Sequence, residues 1–175
     1  MARRLALISL LSFLLLFGCS ARRARTQALP VFRDITEAAG LDFVHQNGAF
    51  GKKYLIEIMG AGAAFLDYDN DGRVDVLLVN GSNLKGETTG QPATVQLFRN
   101  VDGTHFKNVT LAAGLRIQGY GMGCCVGDFD NDGFDDIYVT TVLGRGHLLR
   151  NRGNGTFEDF TESAGLRHQT GWESG

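Results

Sequence analysis

Nine of the thirteen aspartates in this 175-residue sequence crowd into two short windows, 67–75 and 128–136. In the first, Asp67, Asp69, Asp71 and Asp75 stand at positions 1, 3, 5 and 9, with Gly72 at position 6. In the second, Asp128, Asp130, Asp132 and Asp136 repeat that spacing around Gly133, and Asp135 adds a fifth carboxylate. Carboxylates packed this densely repel one another unless a cation sits among them, and hard oxygen donors around a glycine-permitted sharp turn suit Ca²⁺. The position-7 backbone carbonyls, of Arg73 and Phe134, are the expected complement of each shell. An EF-hand would need a bidentate Glu at position 12, where this sequence has Leu78 and Val139. The flanks also read as strands, so the loop chemistry of an EF-hand is present without its fold. The alternative, a pair of solvated Asp-Gly turns that hold no ion, requires the same spacing to arise twice without a ligand to select it.

Other chemistry is hard to assemble. His45, Glu57, His105, His147 and His168 are the polar candidates for catalysis, but none belongs to a Gly-x-Ser-x-Gly or His-Glu-x-x-His pattern. Glu57 reads as a strand residue ahead of a glycine run. Arg99 and Arg150, at equivalent turn positions, read as repeated ligands to carbonyls or carboxylates rather than as a substrate clamp. Cys124 and Cys125 are neighbours whose side chains point to opposite faces of a strand, so they pair poorly and read as small buried apolar residues. No Cys/His zinc spacing is present.

The elements that position the acidic windows come from an internal repeat. Phe65 to Val79 returns 61 residues later as Val126 to Thr140. A second element, ending in Ala-Gly-Leu, occurs three times, at Phe32 to Leu41, Phe106 to Leu115 and Phe157 to Leu166. Ahead of the last two stand Leu97-Phe98-Arg99-Asn100 and Leu148-Leu149-Arg150-Asn151, each followed by a glycine turn, which is a hairpin signal. Each unit thus reads as strand, acidic loop, strand, connector, strand, turn, strand, which is one four-stranded blade. The runs Val74 to Val79 and Ile137 to Val139 read as strands covered on both faces by neighbouring blades. The Ala-Gly-Leu elements read as loops with one turn of helix, stopped by Gly40, Gly114 and Gly165. The segment from Asn80 to Ala93, with Lys85 and Glu87, reads as a longer loop of the first unit. Twenty-four glycines against two prolines, and twelve phenylalanines, agree with an all-β chain of short strands and tight turns.

On these residues the chain resembles the FG-GAP, or VCBS, repeat proteins of the ASPIC/UnbV group, over Phe32 to Gly175. The matching pieces are Phe32 to Leu41, Phe43-Val44-His45, Glu57 to Gly62, both acidic loops, Gly119 to Gly123 and both Arg-Asn turns. The resemblance implies an integrin-α-like β-propeller of seven or eight blades, with calcium in loops of this pattern, of which about two full repeats are present. It also implies an exported binding or adhesion module whose partner is a protein or glycan. The C-terminal domain of that group has no counterpart in these residues, and Cys124 and Cys125 replace its usual small aliphatics.

The N-terminus reads as an address rather than as fold. Arg3 and Arg4 precede an apolar run from Leu5 to Phe17, too short for the roughly 20 residues of a spanning helix. Residues 1–18 are therefore expected to be an export signal. Leu16-Phe17-Gly18-Cys19 resembles a bacterial lipobox, which makes Cys19 the expected lipidation site; an ordinary secretory signal is the alternative. Residues 19–31, with Arg22, Arg23 and Arg25, then form a polar tether before the repeats at 32–175. A lipid anchor with a basic tether places the protein on the membrane of a bacterial cell envelope, and the alternative signal makes it secreted. A formal charge of -2 supplies no general basic field, which argues against a nucleic-acid partner.

The expected function is therefore an exported calcium-binding propeller module. The alternative is a piece of a propeller enzyme, a hydrolase or a glycan-active one, with catalytic residues outside this chain. Trp172 falls 52 residues after Tyr120, and the same step from Asp128 leads to position 180, past residue 175. A further acidic loop is accordingly expected downstream in a longer protein, because propellers close with at least about four blades.

Overall fold

A computed structural model describes residues 29–49, 51–83, 94–142 and 146–166. The expected signal and Cys19, the long loop with Lys85 and Glu87, and His168 and Trp172 lie outside the described residues. The chain divides into two units, Met1–Asp34 and Ile35–Gly175. Of the first, the described residues 29–34 are exposed and in no regular element.

Among the described residues the second unit is all-β apart from one short 3-10 helix, Leu55–Ile58. Strands β1 (Ala63–Leu66), β2 (Asp75–Val79), β3 (Val95–Asn100) and β4 (Phe106–Asn108) form one antiparallel sheet in the order β1-β2-β3-β4. Strands β5 (Tyr120–Gly127), β6 (Asp136–Val142), β7 (His147–Asn151) and β8 (Phe157–Asp159) repeat that order in a second sheet. These are two consecutive propeller-type blades, as the repeat implies. Leu66 pairs with Asp75 and Gly127 with Asp136, so each acidic loop is the hairpin connection between the first two strands of its sheet.

The core lies between the blades. Leu66, Tyr68, Leu77, Val79, Val95 and Leu97 of the first pack in one cluster with Ile137, Val139, Leu149 and Phe157 of the second. Ala113, Leu115 and Ile117, from the connector between them, complete it. Burying such side chains stabilises by about 1.5–3 kcal/mol each. The residue just before β1 comes so close to β5 that a Cβ on Gly62 would lie 2.9 Å from Gly123 Cα, which is why this approach is built from glycine.

The Ala-Gly-Leu elements fold alike. Ala39, Ala113 and Ala164 donate N–H to the carbonyls of Ile35, Val109 and Phe160, closing one helical turn. Gly40, Gly114 and Gly165 then take φ of 74°, 78° and 75°, which ends it. Each of the first two clips onto the blade that follows: Phe106 donates to the Ala39 carbonyl and Phe157 to the Ala113 carbonyl, both at 2.8 Å.

Three expectations are corrected. Val74 lies before β2 and is exposed, while Val76 and Leu78 are only half-buried, because within the described residues no sheet packs on that face of the first blade. Cys125 is exposed for the same reason on the second blade, and Cys124 is partly buried rather than fully so. Burial pushes the Cys124 thiol up to about 11, with the neighbouring Cys125 adding to the shift, which makes it a poor nucleophile. Glu57 sits in the 3-10 helix instead of a strand, its N–H donating to the Tyr54 carbonyl.

Candidate metal centre

Both acidic loops are built by the same local rules. Asp67 receives the N–H groups of Asp71 and Gly72 on its two carboxylate oxygens, at 3.0 and 2.8 Å. Asp128 receives those of Asp132 and Gly133, at 3.1 and 2.9 Å. Asp71 and Asp132 each accept the N–H of the residue two further on, Arg73 and Phe134. The turn passes through left-handed residues, Asn70 (φ 52°) with Gly72 (81°) and Asn131 (59°) with Gly133 (89°). Asn and Gly are the two residue types that tolerate that conformation best. This wrapping gathers the carboxylates that the linear spacing only suggests.

The two gatherings differ in membership. Carboxylate oxygens of Asp67, Asp69 and Asp71 lie within 4.8 Å of one another in the first loop, and those of Asp128, Asp130 and Asp136 do so in the second. Asp75 falls outside the first group and Asp132 outside the second. Asp75, fully buried, accepts the N–H groups of Tyr68 and Asn100 at 3.1 and 2.7 Å. Asp136 accepts those of Phe129 and Asn151 at 3.0 and 2.7 Å. Burial pushes both carboxyls above the ordinary range, a shift that these backbone donors oppose and the neighbouring loop aspartates reinforce.

Asn100 and Asn151 are the functional residues that the aspartate pattern misses. Each crosses back from the end of the third strand, donating from its side chain to the carbonyl of residue 74 or 135. The repeated Arg-Asn pair was their sequence signal. The preceding arginines carry the electrostatics. Arg99 Nε lies 2.7 Å from Asp69 and its Nη2 2.9 Å from Asp71, while Arg150 Nε lies 2.6 Å from Asp130. This agrees with the carboxylate role read for them. Burial raises the Asp71 carboxyl, but the Arg73 N–H and the two guanidiniums outweigh it and hold the group below its usual value. A divalent cation fits this donor set. The groups are all hard oxygens, and Asp69 Oδ1 is sealed from solvent without a hydrogen-bond partner.

The loops also touch. Asn70 Nδ2 donates to the Gly133 carbonyl at 2.9 Å, and Asn151 Nδ2 donates to the Tyr68 carbonyl at 2.8 Å. Tyr68 stacks on Phe157. The two sites therefore share one rigid seam.

A sequence model described as FG-GAP-like repeat matches residues 67–139 and again 128–174. Each match begins on the first aspartate of an acidic loop. The chain belongs to the FG-GAP-like repeat family. That family assignment rests on the parts of the chain just described: acidic loop, paired strands and Arg-Asn turn. No curated protein matches the chain.

The remaining polar candidates do not converge. His45 is exposed and stacks on Phe43. His105 Nδ1 lies 2.8 Å from Asp102 in an exposed turn, and His147 Nδ1 lies 3.0 Å from Asp159 at the strand edge. Glu57 is buried, with its backbone carbonyl holding Asn47 and its Oε1 without a partner.

Proposed function

We propose that this FG-GAP-like chain is a calcium-braced binding module of the ASPIC/UnbV type, in which the acidic loops hold Ca²⁺ and so fix the blades that present a surface to a protein or glycan. The observation that carries the reading is the doubled gathering of carboxylates, with Asp69 Oδ1 in the first of them buried and without a hydrogen bond. Asp67, Asp69 and Asp71 would hold one ion, with the Arg73 carbonyl, and Asp128, Asp130 and Asp136 the other, with that of Phe134. Asp75 and Asp132 lie beside these sets. Bound Ca²⁺ supplies charge balance and a fixed loop, which is a structural role. Residues 1–18 export the chain, and lipidated Cys19 anchors it at the cell envelope.

Melting the chain in calcium and in chelator tests the reading. Affinity of the extracellular type is on the order of 10⁻⁴ to 10⁻³ M. At ten times the dissociation constant each site adds roughly 1.4 kcal/mol of stability. Asp69→Ala together with Asp130→Ala should erase the calcium response, and Asp159→Ala, whose carboxylate pairs with His147 and Thr161 and joins neither group, should keep it. A wild-type chain with no calcium shift in melting would leave the loops as turns. Membrane fractionation checks the anchor: Cys19→Ala should move the protein from the membrane to the soluble exported fraction, and an unchanged distribution removes the lipidation.

A further inference from the structure

The two loops are copies in backbone and carboxylates, but not in the cations that reach them. Position 7 is Arg73 in the first and Phe134 in the second. Arg73 turns back into its own loop, pairing through Nη2 with Asp71 Oδ2 and donating through Nε to the Asn100 carbonyl at 3.1 Å. Arg99 reaches that same Asp71 oxygen and also Asp69. Two guanidiniums thus neutralise two of the three gathered carboxylates. In the second loop Phe134 instead lies against Gly153, whose added Cβ would meet the ring at 2.9 Å. Arg150 pairs there with Asp130 alone, at 2.6 Å, while its guanidinium lies 5.6 Å from the Phe160 ring and 3.9 Å from Glu158. Among the described residues no ion pair reaches Asp132, and the Asp135 carboxylate is turned to the first loop, where it accepts the Asp67 N–H at 3.4 Å.

We infer that the two loops form a graded pair for Ca²⁺, the second loop being the tight site and the first a weak one, with Arg73 as the residue that sets the difference. This rests on the calcium reading above. To bind, the first loop must displace the Arg73 guanidinium as well as that of Arg99, whereas in the second loop Arg150 on Asp130 is the one guanidinium to displace; the backbone N–H groups on the carboxylates are alike in both loops. A unit positive charge about 6 Å from a divalent ion in a water-like dielectric lowers affinity about ten-fold. Both arginines are partly exposed, so salt screens this difference.

Calorimetric titration of the chelator-stripped full chain with Ca²⁺ tests the grading. Wild type should show two classes of site about ten-fold apart. Asp130→Asn should delete the tight class and Asp69→Asn the weak one. Arg73→Phe should bring the weak site to within about three-fold of the tight one, and Phe134→Arg should weaken the tight site about ten-fold. If Arg73→Phe does not fold, Arg73→Gln carries the same expectation, since it keeps much of the length and drops the charge. Two equal sites in wild type, or a weak site that ignores Arg73→Phe and Arg73→Gln, would overturn the grading while leaving calcium binding intact. No binding heat and no melting shift at all would overturn both.

Discussion

At Asp75 both carboxylate oxygens already hold backbone N–H groups, one from Tyr68 inside the loop and one from Asn100 at the end of β3. The residue ties the loop to the sheet, as Asp136 does in the second loop through Phe129 and Asn151, but unlike Asp136 it does not join the gathered carboxylates. Asp69 is its opposite, since one oxygen meets Arg99 and the other is buried with no hydrogen bond. The spacing gives these two residues equal standing, because a linear pattern records residue type and not which lone pairs the backbone uses. Substitution separates them. Asp75→Asn replaces one acceptor oxygen by a donor facing a buried N–H, so it should cost about 1–3 kcal/mol in chelator and in calcium alike. Asp69→Asn should change stability little in chelator and remove the gain from calcium at the first loop. Denaturant unfolding of both variants, with and without Ca²⁺, reads this directly. An Asp75→Asn penalty confined to calcium would make Asp75 a ligand first and a strut second.

Strands and loops were legible wherever sequence neighbours decide the structure. The 61-residue repeat places β1, β2 and the first acidic loop in register with β5, β6 and the second, and the helical turns ending at Gly40, Gly114 and Gly165 follow from local sequence. What escaped depends on contacts across the blades. The run Leu55 to Met59 has the composition of a strand, yet among the described residues no strand pairs with it. Its backbone closes a local turn from Glu57 to Tyr54 instead. Val76 and Leu78 look like Ile137 and Val139 in sequence, but the first pair is half-buried and the second buried, because among the described residues only the second blade has a sheet against that face. Nor could spacing reveal that Asn70 holds the Gly133 carbonyl, so that loops 61 residues apart become one seam. The clip from Ala39 to Phe106, repeated from Ala113 to Phe157, is likewise a property of stacked units.

Within the described residues, the two blades carry both halves of one interface at opposite ends of the stack. Leu77, Val79 and Leu97 are buried between the blades, and their repeat equivalents on the second blade, Tyr138, Thr140 and Leu148, are half-buried on its outer face. Ile137 and Val139 are buried against the first blade, and their equivalents Val76 and Leu78 are half-buried on the outer face of that blade. The outer face of one chain is thus shaped like the partner that the outer face of another chain lacks. Such head-to-tail contacts grow into rings or open stacks rather than closing as a two-fold dimer. These two blades, expressed without further repeats, are therefore expected to self-associate with rising concentration, as measured by size-exclusion chromatography with light scattering. A leucine buried in an interface contributes about 1.5–3 kcal/mol, so Leu148→Lys should weaken the association roughly ten- to a hundred-fold. Val101→Lys, in an exposed turn away from either face, should leave it unchanged. Identical association of wild type and Leu148→Lys would place the contact elsewhere. A wild-type chain that stays monomeric throughout would mean that the outer face of the second blade is stable in water without a neighbour.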